Sequence, residues 1–147
     1  MIYTRSAYLK KIFAGKLNEE IYVVCLTPRS RIIRVEKVSN GTSSEAKADM
    51  RLITDIMSRH KVSNIIVAHN HPKGSSEPSF DDDKFTKALV ATLSINGSHI
   101  LDHLIIAEND YYSYRKAGKI EEYKQEVAIL LDGKFISQPK ADYRVDV

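Results

Sequence analysis

The run Ile65-Ile66-Val67-Ala68 leads without a break into His69-Asn70-His71 and stops at Pro72. An apolar, largely β-branched run of this length reads as a buried strand. Proline has no N–H to continue a ladder, so the strand must end there. Side chains alternate faces along a strand, so His69 and His71 point one way and Asn70 the other. Their Cα atoms lie roughly 6.5 Å apart. Two imidazoles leaning together from that distance can share one zinc ion at about 2.0–2.1 Å per nitrogen. The chain must therefore fold so that a buried strand delivers two histidines at its C-terminal end, where sites in open α/β sheets form.

The rest of the chain supplies what such a strand needs around it. Ser6 to Phe13 carries apolar residues among polar ones and predicts a short amphipathic helix, ended by Ala14-Gly15. Ile21 to Leu26 predicts a buried strand, Thr27-Pro28-Arg29-Ser30 a turn, and Ile32 to Val38 the returning strand of a hairpin. Ser43-Ser44 can cap a second helix, in which Met50, Ile53, Ile56 and Met57 recur at helical spacing up to about Arg59. Ser79 opens a third helix lined by Phe85, Leu89, Val90 and Leu93 and stopped by Asn96-Gly97. Ile100 to Ala107 predicts a strand that pairs with Tyr111 to Tyr114 across Asn109-Asp110. A last helix is expected from about Ile120 to Leu131, and a polar tail from Ser137 to Val147. Strands and helices alternate after the opening hairpin, which predicts an α/β (α+β) fold: a single mixed sheet flanked by helices.

At 147 residues the chain has the size of one domain, long enough to bury a core without disulfides or metal staples. A bound metal should therefore serve chemistry more than folding. The net charge of +3 fits a solvated mixed surface and does not by itself imply nucleic-acid binding. The single cysteine, Cys25, lies inside an apolar strand run and reads as a small buried hydrophobe; one thiol cannot make an internal disulfide, so a reducing compartment fits. No apolar stretch is long enough to span a bilayer and no signal pattern opens the chain, so the cytoplasm is the expected location.

The third ligand should be acidic and close to the strand end. Ser79-Phe80-Asp81-Asp82-Asp83 starts a helix directly after the short loop, and Asp81, Asp82 and Asp83 compete for the role on chemistry alone. Two histidines and a carboxylate with one open position make the catalytic zinc arrangement, in which a bound water ionises near pH 7. The same acids have a plain structural use. Ser79 with Asp82 is a capping box, and first-turn acids complement the helix dipole. Capping needs no histidine, so the conjunction of paired histidines, strand stop and acid-rich helix start is what favours a metal site.

These residues resemble the RadC family. The resemblance runs through His69-Asn70-His71-Pro72-Lys73-Gly74, Pro78-Ser79, Asp82, Thr86 and Leu101-Asp102-His103-Leu104-Ile105-Ile106, and covers roughly Ala7 to Gly118. That family carries the JAB/MPN (JAMM) metalloprotease motif, and the match implies a JAB/MPN, cytidine-deaminase-like architecture. It selects Asp82 over its neighbours as third metal ligand beside His69 and His71, with Zn2+ as the cofactor. It gives Ser79 the stabilisation of an oxyanion, which a hydroxyl can do while also capping. It also requires an upstream glutamate as general base. Glu20, just before Ile21, matches the place of that residue in related peptidases; Glu19 and Glu45 are competitors.

What the resemblance implies about activity is a zinc-dependent hydrolase of peptidase or isopeptidase type, with a family label in DNA repair that makes DNA or repair proteins possible partners. The alternatives are a non-catalytic DNA-repair-associated binding module and a metal-dependent nuclease. Scattered basic residues without alternating aromatics argue against the first, and the continuation of the motif to Ser79 and Asp82 argues against the second. The family commonly has a helix-hairpin-helix region before this domain, and none is visible in this sequence. Lys73 stands where the family often has Ser. Residues 1–147 are expected to form one domain, with 119–147 an extension outside the resemblance. Asp102 and His103 are candidates for supporting the metal ligands, though a satisfied core histidine is an equal reading. His60 and His99 read as surface residues, and Tyr111, Tyr112 and Tyr114 as packing for the last hairpin.

Overall fold

The computed structural model describes residues 5–39 and 48–134. In chain order the elements are α1 (Arg5–Phe13), β1 (Ile21–Leu26), β2 (Ile32–Lys37), α2 (Met50–Arg59), β3 (Asn64–Asn70), α3 (Phe80–Ile95), β4 (His99–Ile106), β5 (Tyr111–Ser113) and α4 (Lys119–Lys134). The strands form one five-stranded sheet in the order β2-β1-β3-β4-β5. β3 and β4 pair in parallel; the other neighbours are antiparallel. The sheet is mixed and helices cover both faces, as the alternation of elements predicts.

β3 lies at the centre because its sequence permits burial on both sides. Ile65, Ile66, Val67 and Ala68 are all at most 1% exposed. Ile65 and Val67 face the larger core, with Val23, Cys25, Ile53, Ile56 and Leu89. Ile66 and Ala68 face the smaller one, built on Leu9 and Phe13 of α1. Fully burying one such aliphatic side chain stabilises the fold by about 1.5–3 kcal/mol. Cys25 is buried and free, and burial raises its thiol pKa, as an inert core residue requires.

Two local devices differ from the sequence expectations. α2 is capped by Asp49, whose carboxylate accepts from the Leu52 N–H; Ser43 and Ser44 lie outside the described residues. β3 runs two residues beyond Ala68, and the parallel pairing reaches further still, because the His71 N–H donates to the Ile106 carbonyl at 2.9 Å. The extended backbone thus carries through both histidines before Pro72 stops it. The expected polar tail from Ser137 and the competing Glu45 lie outside the described residues. Among those residues, no helix is long and apolar enough to cross a membrane.

Candidate metal centre

His69 is the last core-facing residue of β3. It pairs across the sheet with Ile21 and, like Ile21, Ile65 and Val67, faces α3. His71 follows on the same side. Their Nε2 atoms are 3.1 Å apart. Asp82 closes the triangle: its Oδ1 is 3.3 Å from His69 Nε2 and its Oδ2 is 3.2 Å from His71 Nε2. Of the three consecutive acids only Asp82 makes this contact. Asp81 is exposed at the rim of the groove, and Asp83 accepts from the Tyr114 hydroxyl at 2.7 Å.

The capping box aims Asp82. The Ser79 hydroxyl accepts from the Asp82 N–H at 3.0 Å, and the Ser79 N–H donates to Asp82 Oδ2 at 2.9 Å. The carboxylate therefore folds back over the helix N-terminus toward β3. Capping uses a lone pair of the Ser79 hydroxyl and not its proton, and Ser79 lines the groove, so both roles expected of Ser79 are compatible.

The donor set fits a tetrahedral zinc ion. Bonds of about 2.0–2.1 Å require donor atoms about 3.3–3.4 Å apart. The two histidine nitrogens, 3.1 Å apart, come close to that requirement, and each has a different Asp82 oxygen beside it, at 3.3 Å for His69 and 3.2 Å for His71. His71 Nδ1 lies 2.9 Å from the Ser75 carbonyl, which can only accept, so Nδ1 carries a proton and Nε2 is the nitrogen that faces Asp82 or, in its place, a metal. Burial opposes charge on Asp82, but hydrogen bonds from His69 and His71 and from Ser79 outweigh it and hold the carboxyl well below its usual range. The same carboxylate raises the pKa of His71, against the opposing effect of burial.

Among the described residues, the glutamate that groups with the two histidines is Glu19. Ligand atoms of Glu19, His69 and His71 all lie within 4.8 Å of one another. Glu20, expected there from its place before β1, is turned to the opposite face. It accepts from the Tyr22 hydroxyl at 2.6 Å and pairs with Lys16 at 3.2 Å and Lys37 at 3.9 Å. The Tyr22 hydrogen bond, with help from the lysines, holds its pKa below the ordinary value despite partial burial. Strand alternation contains the signal for this difference. Ile21 faces the same way as His69, so Glu19 falls on the site side and Glu20 on the other. Asn70, between the histidines, fixes the arrangement from behind. Its side-chain carbonyl accepts from the Glu20 N–H at 2.7 Å and its amide donates to the Asn18 carbonyl at 3.1 Å. The peptide groups on both sides of Glu19 are thus tied to β3.

His103 and Asp102, considered together from sequence, part company in the structure. His103 is fully buried beside His69. Asp102 faces the other side and accepts from the Ser113 hydroxyl at 2.7 Å and the Arg115 N–H at 2.9 Å. Its burial raises its pKa, and its work is to pin β5 and the turn after it. Tyr114 is fully buried and stacks on His103, with ring centroids 4.7 Å apart. It is part of the site's foundation as well as of the hairpin. His60 and His99 stand half-buried at element ends away from the groove.

The cluster opens into a groove of about 860 Å³ lined by residues that include Leu17, Glu19, Lys73, Ser79, Lys84 and Phe85.

A mixed α+β sheet with histidines at a central strand end and a carboxylate at the next helix start has the JAB/MPN arrangement. The chain belongs to the RadC-like JAB domain family, whose model matches residues 4–119. Similar curated proteins include a UPF0758 protein of Janthinobacterium sp. (strain Marseille), 34% identical over 77% of this chain and 50% of the relative. A UPF0758 protein of Porphyromonas gingivalis is 39% identical over 69% of this chain and 45% of its own length. One of Streptococcus gordonii is 34% identical over 74% and 48%. The chain spans about half the length of the curated relatives it matches.

Proposed function

We propose that this domain is a zinc-dependent amide hydrolase acting on a peptide or isopeptide bond. The observation that carries the reading is the convergence of His69 Nε2, His71 Nε2 and Asp82 on one point, with the Glu19 carboxylate beside it. His69, His71 and Asp82 would hold a zinc ion, which would supply Lewis acidity toward a carbonyl oxygen and acidify a water. Glu19 is the general base: its carboxylate takes a proton from the attacking water and passes it to the leaving nitrogen. Ser79 donates its hydroxyl proton to the oxygen that gains charge as the carbonyl carbon becomes tetrahedral. Asn70 keeps Glu19 facing the histidines. The groove receives the chain on either side of the cut bond, and Leu17, 82% exposed at its edge, offers apolar contact to a substrate side chain.

The test has two parts. Metal analysis and calorimetry should find one zinc per chain, lost in His71→Ala. Zinc-loaded protein incubated with a peptide library and with isopeptide-linked conjugates should generate new amines detectable by mass spectrometry. Glu19→Gln should keep the metal and lose the cleavage. Retained cleavage in Glu19→Gln removes the base assignment, and absence of zinc binding removes the hydrolase. Metal-dependent nicking of plasmid DNA without amide cleavage would instead favour a nuclease.

A further inference from the structure

We propose that His103, backed by Thr86, is a positioning residue that sets the tautomer of His69 and so makes its Nε2 a metal ligand. This rests on the metal-centre reading above and concerns only how the protein prepares one donor.

The direction of the hydrogen bonds follows from a single hydroxyl. Thr86 Oγ1 lies 2.7 Å from the Asp82 carbonyl oxygen. A carbonyl carries no hydrogen, and two oxygens at that distance need a proton between them, so the Thr86 proton is committed there. Thr86 Oγ1 is also 2.6 Å from His103 Nδ1. With its own proton used, the hydroxyl can only accept, so His103 carries its proton on Nδ1. A neutral imidazole has one N–H, which leaves His103 Nε2 as an acceptor. That atom is 2.8 Å from His69 Nδ1, which must therefore donate. When a metal takes the place of the Nε2 contact with Asp82, His69 keeps its proton on Nδ1 and offers the Nε2 lone pair to the ion.

The surroundings hold His103 to this task. It is 0% exposed, so a charged ring there would have to give up its hydration. Tyr114 stacks on its ring with planes 6° apart, and Phe85 meets it edge-on at 87°. These two ring contacts hold the plane of His103 in place. Ligating histidines usually give their second N–H to a carboxylate or a backbone carbonyl. Here the acceptor is another imidazole, and its own tautomer is set by the helix that presents Asp82. One chain of hydrogen bonds thus runs from the backbone of one ligand, through Thr86 and His103, to the ring of another.

The test compares wild-type protein with His103→Phe, which keeps a ring against Tyr114 but has no acceptor, and with Thr86→Val, which keeps the shape but has no hydroxyl. Zinc affinity is measured by chelator competition, folding by circular dichroism and melting. Outer-shell partners of this kind are worth about 10–100-fold in metal affinity. His103→Phe should fall in that range, Thr86→Val should weaken binding less, and both cobalt-loaded variants should show an altered visible spectrum. Long-range ¹H–¹⁵N spectra of the zinc-loaded wild type should find His103 protonated on Nδ1, a readout that a merely space-filling role does not set. If His103→Phe does not fold, Thr86→Val and the wild-type tautomer still decide. Wild-type zinc affinity in folded His103→Phe, or a proton on His103 Nε2, overturns the proposal and leaves the hydrolase reading intact. A wild type that binds no zinc removes both.

Discussion

At His71 and Asp82 a metal ion, as proposed, would compete with a proton for the same atoms. The pKa of His71 is raised above its ordinary 6.5 chiefly by its hydrogen bond with Asp82. In metal-free protein that pairing stabilises the fold fully below pH 6.5, and the contribution is lost as pH rises through the raised value. Asp82 has the opposite sign. Burial opposes its ionisation, but its histidine partners depress it, so its contribution is present above its ordinary 3.8 and lost as pH falls. Metal-free protein should therefore gain most from the pair between pH 3.8 and 6.5. The measurement is Tm against pH, and Asp82→Asn should flatten both flanks. Zinc affinity should weaken on acidification through the His71 titration, because the ion must displace that proton. The two adjacent glutamates give a second contrast at this scale. Glu20→Gln should leave turnover close to wild type, since its carboxylate serves Tyr22, Lys16 and Lys37 on the far face. Equal losses in Glu19→Gln and Glu20→Gln would contradict the assignment.

Two elements have ends that bear on the proposed chemistry. Helix α3 begins with a capping box whose acid is also a candidate ligand, so Ser79→Ala should act twice. Loss of the cap costs about 1 kcal/mol of stability, measurable by urea denaturation. Loss of the hydroxyl proton should lower kcat without a matching fall in zinc content. Strand β3 ends with Asn70, whose two hydrogen bonds hold the segment carrying Glu19. Asn70→Ala should keep zinc and lower turnover. Asn70 is buried, and its removal also leaves the Asn18 carbonyl without that donor. A modest fall in Tm should accompany the effect. A variant with unchanged turnover would show that Glu19 holds its place without the clamp.

For the whole molecule a metal would be an addition to a fold whose hydrophobic cores do not include the histidine cluster. The two cores, on either side of β3, are built from aliphatic residues that are almost wholly buried. Dialysis against EDTA should therefore leave far-ultraviolet dichroism intact and unfolding cooperative. Re-adding zinc to about 100 times its Kd should raise stability by about 2.7 kcal/mol. Damage to β3 should cost as much or more: Ile65→Ala, at a site with no exposure, should lose about 2–5 kcal/mol in denaturant titration. Collapse of the EDTA-treated protein would instead assign the metal a structural part.

The sequence by itself determined the strand at Ile65 to Ala68, its stop at Pro72, the common face of His69 and His71, and the helix start at Ser79. Each is a local matter of side-chain periodicity, a missing N–H or a capping pair. The tertiary structure decided everything that depends on which face meets which. It set Glu19 against Glu20, because only the pairing of Ile21 with His69 says which side of β1 is the site side. It separated His103 from Asp102, and it brought Thr86 and Tyr114 under the histidines from elements far apart in the chain. Local chemistry chooses a residue's conformation. Only packing between distant elements chooses its partners, and here it sets His103 against His69 and Asp82 across from both histidines.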